Sequence, residues 1–204
     1  MHSDLKVVVV GVSAGGVAAL KTLLGGLPAD FPLPILIVQH ISPNAGDGLA
    51  RLLNELCPIR VKEADEREAI VPATVYIAPP NYHLLLEHGG FLSLSADSHV
   101  SYARPSVDVL FKSAAEAFAA GVVGVILTGA NFDGSAGLQM IKALGGVAVV
   151  QDPADAEVPQ MPAAALAATG VDFVLPLAEI APRLCQLAAR QSMMPEKITK
   201  ERYE

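Results

Sequence analysis

Residues 6–24 read KVVVVGVSAGGVAALKTLL, a β-branched run over 6–10, a glycine-rich turn over 11–16 and a stretch of helical period over 16–24. A buried strand that turns tightly into a helix is the opening half of a crossover unit, whose next strand lies parallel to the first. The same alternation continues outward from it. Residues 34–39 (PILIVQ), 74–78 (TVYIA), 122–127 (VVGVIL), 147–151 (VAVVQ) and 171–175 (VDFVL) are nearly uninterrupted apolar runs, as strands covered on both faces are. Between them, residues 106–119 put Val107, Leu110, Phe111, Ala114, Ala115 and Phe118 on one stripe with Lys112 and Glu116 off it, which predicts an amphipathic helix. Further helices are expected over 46–56, 134–144, 162–168 and 176–190. Residues 83–87 and 91–95 flank His88-Gly89-Gly90 and read as an antiparallel hairpin attached to the main sheet. The fold class that follows is α/β: a doubly wound, mainly parallel sheet flanked by helices, with a small antiparallel hairpin.

With 204 residues, 52% of them hydrophobic, and a mean hydropathy of +0.44, the chain has ample core for one large domain. That domain is expected over residues 1–190, with a charged tail lacking apolar period over 191–204. Two cysteines, Cys57 and Cys185, exclude a disulfide scaffold and fit a reducing cytoplasm. The net charge of -7 argues against nucleic acid or an anionic membrane as partner. No apolar stretch reaches the ~20 residues that span a bilayer, and Met1-His2-Ser3-Asp4 opens no secretory signal.

In an open parallel sheet the functional crevice lies beyond the carboxyl ends of the strands, so the residues that follow each strand are the candidates. Ser13 follows the first strand within Gly11-Val12-Ser13-Ala14-Gly15, a G-x-S-x-G turn that lifts a hydroxyl onto a helix amino terminus. Taken alone, such a turn more often holds a phosphate or nothing. Neither G-x-G-x-x-G nor a phosphate loop with lysine is present, and the second strand ends in Gln39-His40 instead of a ribose-binding acid. His40 in isolation reads as a loop residue, and Asp133, before Gly134, as a helix cap. Together they can do more. A histidine takes the proton of a serine when a carboxylate fixes its tautomer, and three strand ends of one sheet supply these three groups. His2, His83, His88 and His99 lack the spacing of a metal site, so no metal or other cofactor is expected. Asp108 reads as a helix-start residue and Asp152, before Pro153, as a turn residue.

The segments GVSAGG, VQHIS, IAPPNYHL, SVDVLFKSAA, LTGANFDGSAGLQMIKALGG, VVQDP and VPQMPAAALAATGVDFVLPL, in this order, resemble the catalytic domain of the bacterial chemotaxis protein-glutamate methylesterases over residues 5–188. The resemblance implies a doubly wound α/β domain, a triad matching Ser13, His40 and Asp133, hydrolysis of glutamyl methyl esters on the cytoplasmic tails of methyl-accepting chemoreceptors, and glutamine deamidation as a related activity. The chain departs from the usual Ser-Thr-Gly-Gly at Ala14, and from the usual Thr-Gly-Met-Gly at Ala130-Asn131. Backbone N–H groups of Ala14 and Ala130 are the expected oxyanion donors, since a backbone donor survives a change of side chain. The receiver domain common in the family is not expected before a strand that starts so near Met1, so a separate receiver or regulatory protein becomes a candidate partner. The alternative reading is a catalytically silent domain that binds receptor tails or a sensory partner. A nucleotide-binding switch module rests on fold analogy alone.

Overall fold

Val7–Val12 forms the central strand β1, and its side chains divide by parity although all are apolar. Val8, Val10 and Val12 face one hydrophobic cluster and Val7 and Val9 the other, all fully buried. This is why the run shows no polar alternation: both faces of the strand are covered. The computed structural model describes residues 4–41, 46 and 48–192. After β1 come α1 (Gly16–Gly25), β2 (Ile35–Gln39), α2 (Gly48–Leu56), β3 (Arg60–Glu63), β4 (Thr74–Ile77), β5 (His83–Glu87), β6 (Phe91–Ser95), α3 (Val107–Phe118), β7 (Val122–Ile126), α4 (Ser135–Ala143), β8 (Val147–Gln151), α5 (Gln160–Ala168), β9 (Phe173–Leu175) and α6 (Leu177–Ser192).

Seven strands form one parallel sheet in the order β3-β4-β2-β1-β7-β8-β9. Buried side chains of α1, α2 and α6 pack on one face, and those of α3, α4 and α5 on the other. The chain winds outward from β1 through β2 in one direction and resumes on the other side of β1 at β7. Loops leaving β1, β2 and β7 therefore diverge around one crevice, the usual place for a ligand in such a sheet.

Three expectations are revised. Arg60–Glu63 is a strand that the sequence pattern does not show: it is an edge strand with only Val61 fully buried, and its charged residues fit an exposed edge. The hairpin forms as expected but is not attached to the main sheet; β5 and β6 make a separate two-stranded sheet. Its Leu84, Leu86 and Leu92 sit in the cluster with Leu110, Phe111 and Ala114 of α3. The outer edge of β6 is used by the preceding loop, through Arg67 N–H to Leu92 O and Leu92 N–H to Glu68 O. β1 also runs two residues beyond the apolar run over 6–10, through Gly11 and Val12, which places Ser13 directly at the strand end. α6 continues to Ser192, and the rest of the expected tail, 193–204, lies outside the described residues.

Candidate active site

Ser13, His40 and Asn131 line one cleft of about 370 Å³ at the carboxyl edge of the sheet. Ser13 is fixed by the ladder continuing past β1, with its N–H donating to Thr128 O at 3.0 Å, and His40 N–H donates to Val12 O at 3.1 Å. Asp133 is buried behind His40, and its Oδ2 lies 2.9 Å from His40 Nε2. The carboxylate has further partners: Ser106 Oγ and Asp108 N–H donate to Oδ1 at 2.8 and 3.0 Å, and Val107 N–H donates to Oδ2 at 2.7 Å. Asp133 thus accepts the free N–H groups at the start of α3 while it holds His40.

Asp108 returns the arrangement. Its Oδ1 accepts Gly134 N–H at 3.1 Å and Gly137 N–H at 2.7 Å, so Asp108 caps the helix that follows Asp133 while Asp133 caps the helix that contains Asp108. Burial pushes the Asp108 carboxyl up from its ordinary value, against the N–H bonds from Gly137 and Gly134. Burial also acts to raise Asp133, but the bonds from His40, Asp108, Val107 and Ser106 outweigh it and hold that carboxyl below its ordinary value. An ionised Asp133 is thereby maintained by the hydrogen bonds it accepts.

The orientation of the imidazole follows from its neighbours. Asp133 N–H donates to Asn131 Oδ1 at 3.1 Å, so the amide nitrogen of Asn131 is the atom 3.2 Å from His40 Nδ1. With Nε2–H given to Asp133, Nδ1 carries the lone pair and accepts from Asn131. This is the reverse of the protease arrangement, in which Nδ1–H faces the aspartate. Ser13 Oγ has no hydrogen bond among the described residues, and the only nitrogen of His40 able to take its proton is Nδ1. Ala14 and Ala130 are exposed, and neither N–H has a partner among the described residues.

Gln39 was legible only as a polar residue ending an apolar strand, yet it joins the two loops. Its Nε2 donates to Ser13 O and to His40 O, each at 2.9 Å, from a buried position. A Cβ on Gly16 would stand 1.9 Å from Gln39 Oε1, so the glycine is needed for the amide to fit. Replacing Gln39 with methionine keeps the volume and removes both donors. The expected result is a fall in kcat of roughly 10-fold or more with KM little changed, because about 1 Å of misplacement at a reacting pair is costly. Steady-state kinetics beside a thermal melt check it; a loss of total activity that only follows the loss of folded protein, with kcat per folded molecule unchanged, would show a structural role alone.

Of the remaining candidates, His83 and Asp152 fall outside the cleft and His99 falls in it. His83 is buried with Nδ1 accepting Ser106 N–H and Nε2 facing Ser98 O, a structural role. His99 lines the cleft, and Asp152 makes the expected turn through Ala154 N–H. Among the described residues no His, Cys, Asp and Glu group could hold a metal, and no helix is long and apolar enough to cross a membrane.

Residues 8–184 match the family model described as CheB methylesterase. The chain belongs to the CheB methylesterase family. The crystal structure of the Thermotoga maritima CheB methylesterase catalytic domain superposes with a TM-score of 0.86 at 35% identity, covering 91% of this chain and all of that one. A Leptospira interrogans relative is 51% identical over 178 residues, 87% of this chain and 92% of its own length. The Burkholderia pseudomallei protein-glutamate methylesterase/protein-glutamine glutaminase 1 is 42% identical over 199 residues, and there the CheB-like chain spans only 54% of the relative. The parallel sheet and the separate hairpin thus match the fold of a CheB catalytic domain.

Proposed function

We propose that the chain is a cytoplasmic serine esterase, with residues 1–190 as its catalytic domain, that hydrolyses glutamyl methyl esters on chemoreceptor tails and deamidates glutamine by the same route. The observation that carries this is His40 held by the ionised Asp133 in the cleft that Ser13 lines, within a CheB-family chain. Ser13 Oγ attacks the ester carbonyl as its proton passes to His40 Nδ1, once that nitrogen exchanges Asn131 for the serine. Asp133 stabilises the imidazolium through Nε2–H. Ala14 and Ala130 N–H groups bind the developing oxyanion, the proton on Nδ1 goes to the departing methoxide, and methanol leaves. Water, giving its proton to the same nitrogen, then releases the carboxylate and restores Ser13. A glutamine substrate loses ammonia in place of methanol.

Methanol release from a methylated receptor tail, together with fluorophosphonate labelling that maps to Ser13, tests the reading. A second reading has one observation in its favour: among the described residues Nδ1 is occupied by Asn131 and Ser13 Oγ is unbonded, as a silent receptor-binding domain would tolerate. Such a domain would bind the tail and leave the fluorophosphonate unreacted.

The oxyanion donors give a sharper expectation. Ala130→Pro deletes one N–H and is expected to lower kcat by roughly 10²- to 10³-fold, whereas Ala130→Met and Ala130→Gly keep the donor and change it far less. Circular dichroism and Ser13 labelling establish that the proline variant is folded; parent-like turnover by that variant would place the second donor elsewhere.

A further inference from the structure

Arg104 enters the same cleft from the loop before α3, and among the described residues no Asp or Glu lines that cleft although the chain carries 21 acidic against 14 basic residues. The loop turns back on itself through Ser101 and Tyr102, both with φ in the left-handed region at 51° and 62°, closed by paired bonds between Val100 and Ala103. The guanidinium is then fixed by neutral acceptors. Nε and Nη2 donate to Asn81 Oδ1 at 3.2 and 2.7 Å, and Nη1 donates to Ala96 O at 2.6 Å and Asp97 O at 2.9 Å. Asn81 is itself held at φ 65° in the Pro79-Pro80-Asn81 turn. Among the described residues no carboxylate forms an ion pair with Arg104.

An arginine immobilised by bonds to neutral groups keeps its full charge and has already lost its rotamer freedom, which is the condition for tight binding of an anion. One Nη2–H is left over from those bonds, so the contact it can make is a single charge-assisted one. We propose that Arg104 is a carboxylate subsite beside Ser13 and His40 that takes a second, unesterified acidic side chain of the substrate, so that methyl esters flanked by a carboxylate are favoured. The proposal rests on the esterase reading for the neighbouring centre. The exposed rings of Tyr102 and Phe132 at the cleft supply apolar walls and no competing charge.

The test uses C-terminally amidated peptides that carry one glutamyl methyl ester and differ at one flanking position, Glu, Gln or Lys, with that position moved through one helical turn on each side. Methanol release gives kcat/KM, and fluorescence anisotropy gives binding independently of turnover. The wild-type chain is expected to favour Glu over Gln at one placement by roughly 5- to 50-fold, and the ratio should shrink as salt rises. Arg104→Gln should bring that ratio near one, Arg104→Lys should keep part of it, and Arg104→Glu should favour the Lys-flanked peptide. A merely structural arginine would lower all three peptides together and leave their ratio unchanged, which overturns the proposal, as does a wild-type chain indifferent to the flank in both measurements. Absence of methanol from every peptide with Ser13 unlabelled would instead remove the esterase reading, and the anisotropy ratio would still decide the subsite.

Discussion

Alanine at Ser13 or at His40 is expected to lower kcat by roughly 10⁴- to 10⁶-fold, and the double variant to be little worse than either single one. The reason is that the hydroxyl and Nδ1 act on one proton: with either absent, the other has nothing to give it to or take it from. Residual turnover would come from substrate positioning and the N–H groups of Ala14 and Ala130, which both variants retain. Methanol release from the same receptor tail measures all three variants, with circular dichroism to show that each is folded. Losses that multiply in the double variant would mean two independent contributions and would remove the assignment of Ser13 and His40 to one unit. The orientation of the imidazole adds a check, since labelling of Ser13 by a fluorophosphonate should vanish in His40→Ala although the nucleophile is intact.

Asp133→Asn is expected to lower kcat by about 10⁴-fold and to weaken the fold as well, because the carboxylate serves both. Four donors converge on its two oxygens, from His40, Ser106, Val107 and Asp108. An amide supplies one oxygen and one NH2. If the NH2 takes the place of Oδ2, it faces Val107 N–H and forces His40 Nε2 to accept. The ring proton then moves to Nδ1, where it meets the amide nitrogen of Asn131 and leaves no lone pair for Ser13. Val107 N–H is left buried and unpaired, a cost of about 1–3 kcal/mol.

The stability part has a pH signature. The Asp133 carboxyl lies below its ordinary value in the folded chain, so its contribution is fully present above the unfolded value of about 3.9 and is lost as pH falls through the folded one. Urea unfolding should therefore show a constant gap between wild type and Asp133→Asn from pH 8 to 5, in round terms, that narrows only in stronger acid. A gap that closes near neutral pH would mean that the carboxylate is not held in the way the hydrogen bonds indicate.

Much of this site could be read from local pattern. A strand covered on both faces must be apolar throughout, so the runs that became β1, β2, β4, β7 and β8 stood out, and the residues just after them were the candidates at the crevice. Ser13, His40 and Asp133 came from that rule together with the family resemblance. β3 did not stand out, because a charged edge strand with one buried residue carries no apolar run. Gln39 and Asn131 were visible as letters in quoted motifs, Arg104 lay outside them, and none of the three carried a local sign of what it touches.

The sequence by itself determined the α/β class, the positions of most strands and which three loops carry a hydroxyl, an imidazole and a carboxylate, since those depend on periodicity and chain order within a few residues. The tertiary structure decided which nitrogen of His40 faces Asp133, across 93 positions of sequence, and that Asp133 and Asp108 cap each other's helices. It also decided that the amide of Gln39 joins the Ser13 loop to the His40 loop, and that Arg104 stands in the cleft with no counter-charge among the described residues. The physical reason is range: burial periodicity is written along the chain, whereas a hydrogen bond acts over about 3 Å between groups that only the strand order brings together.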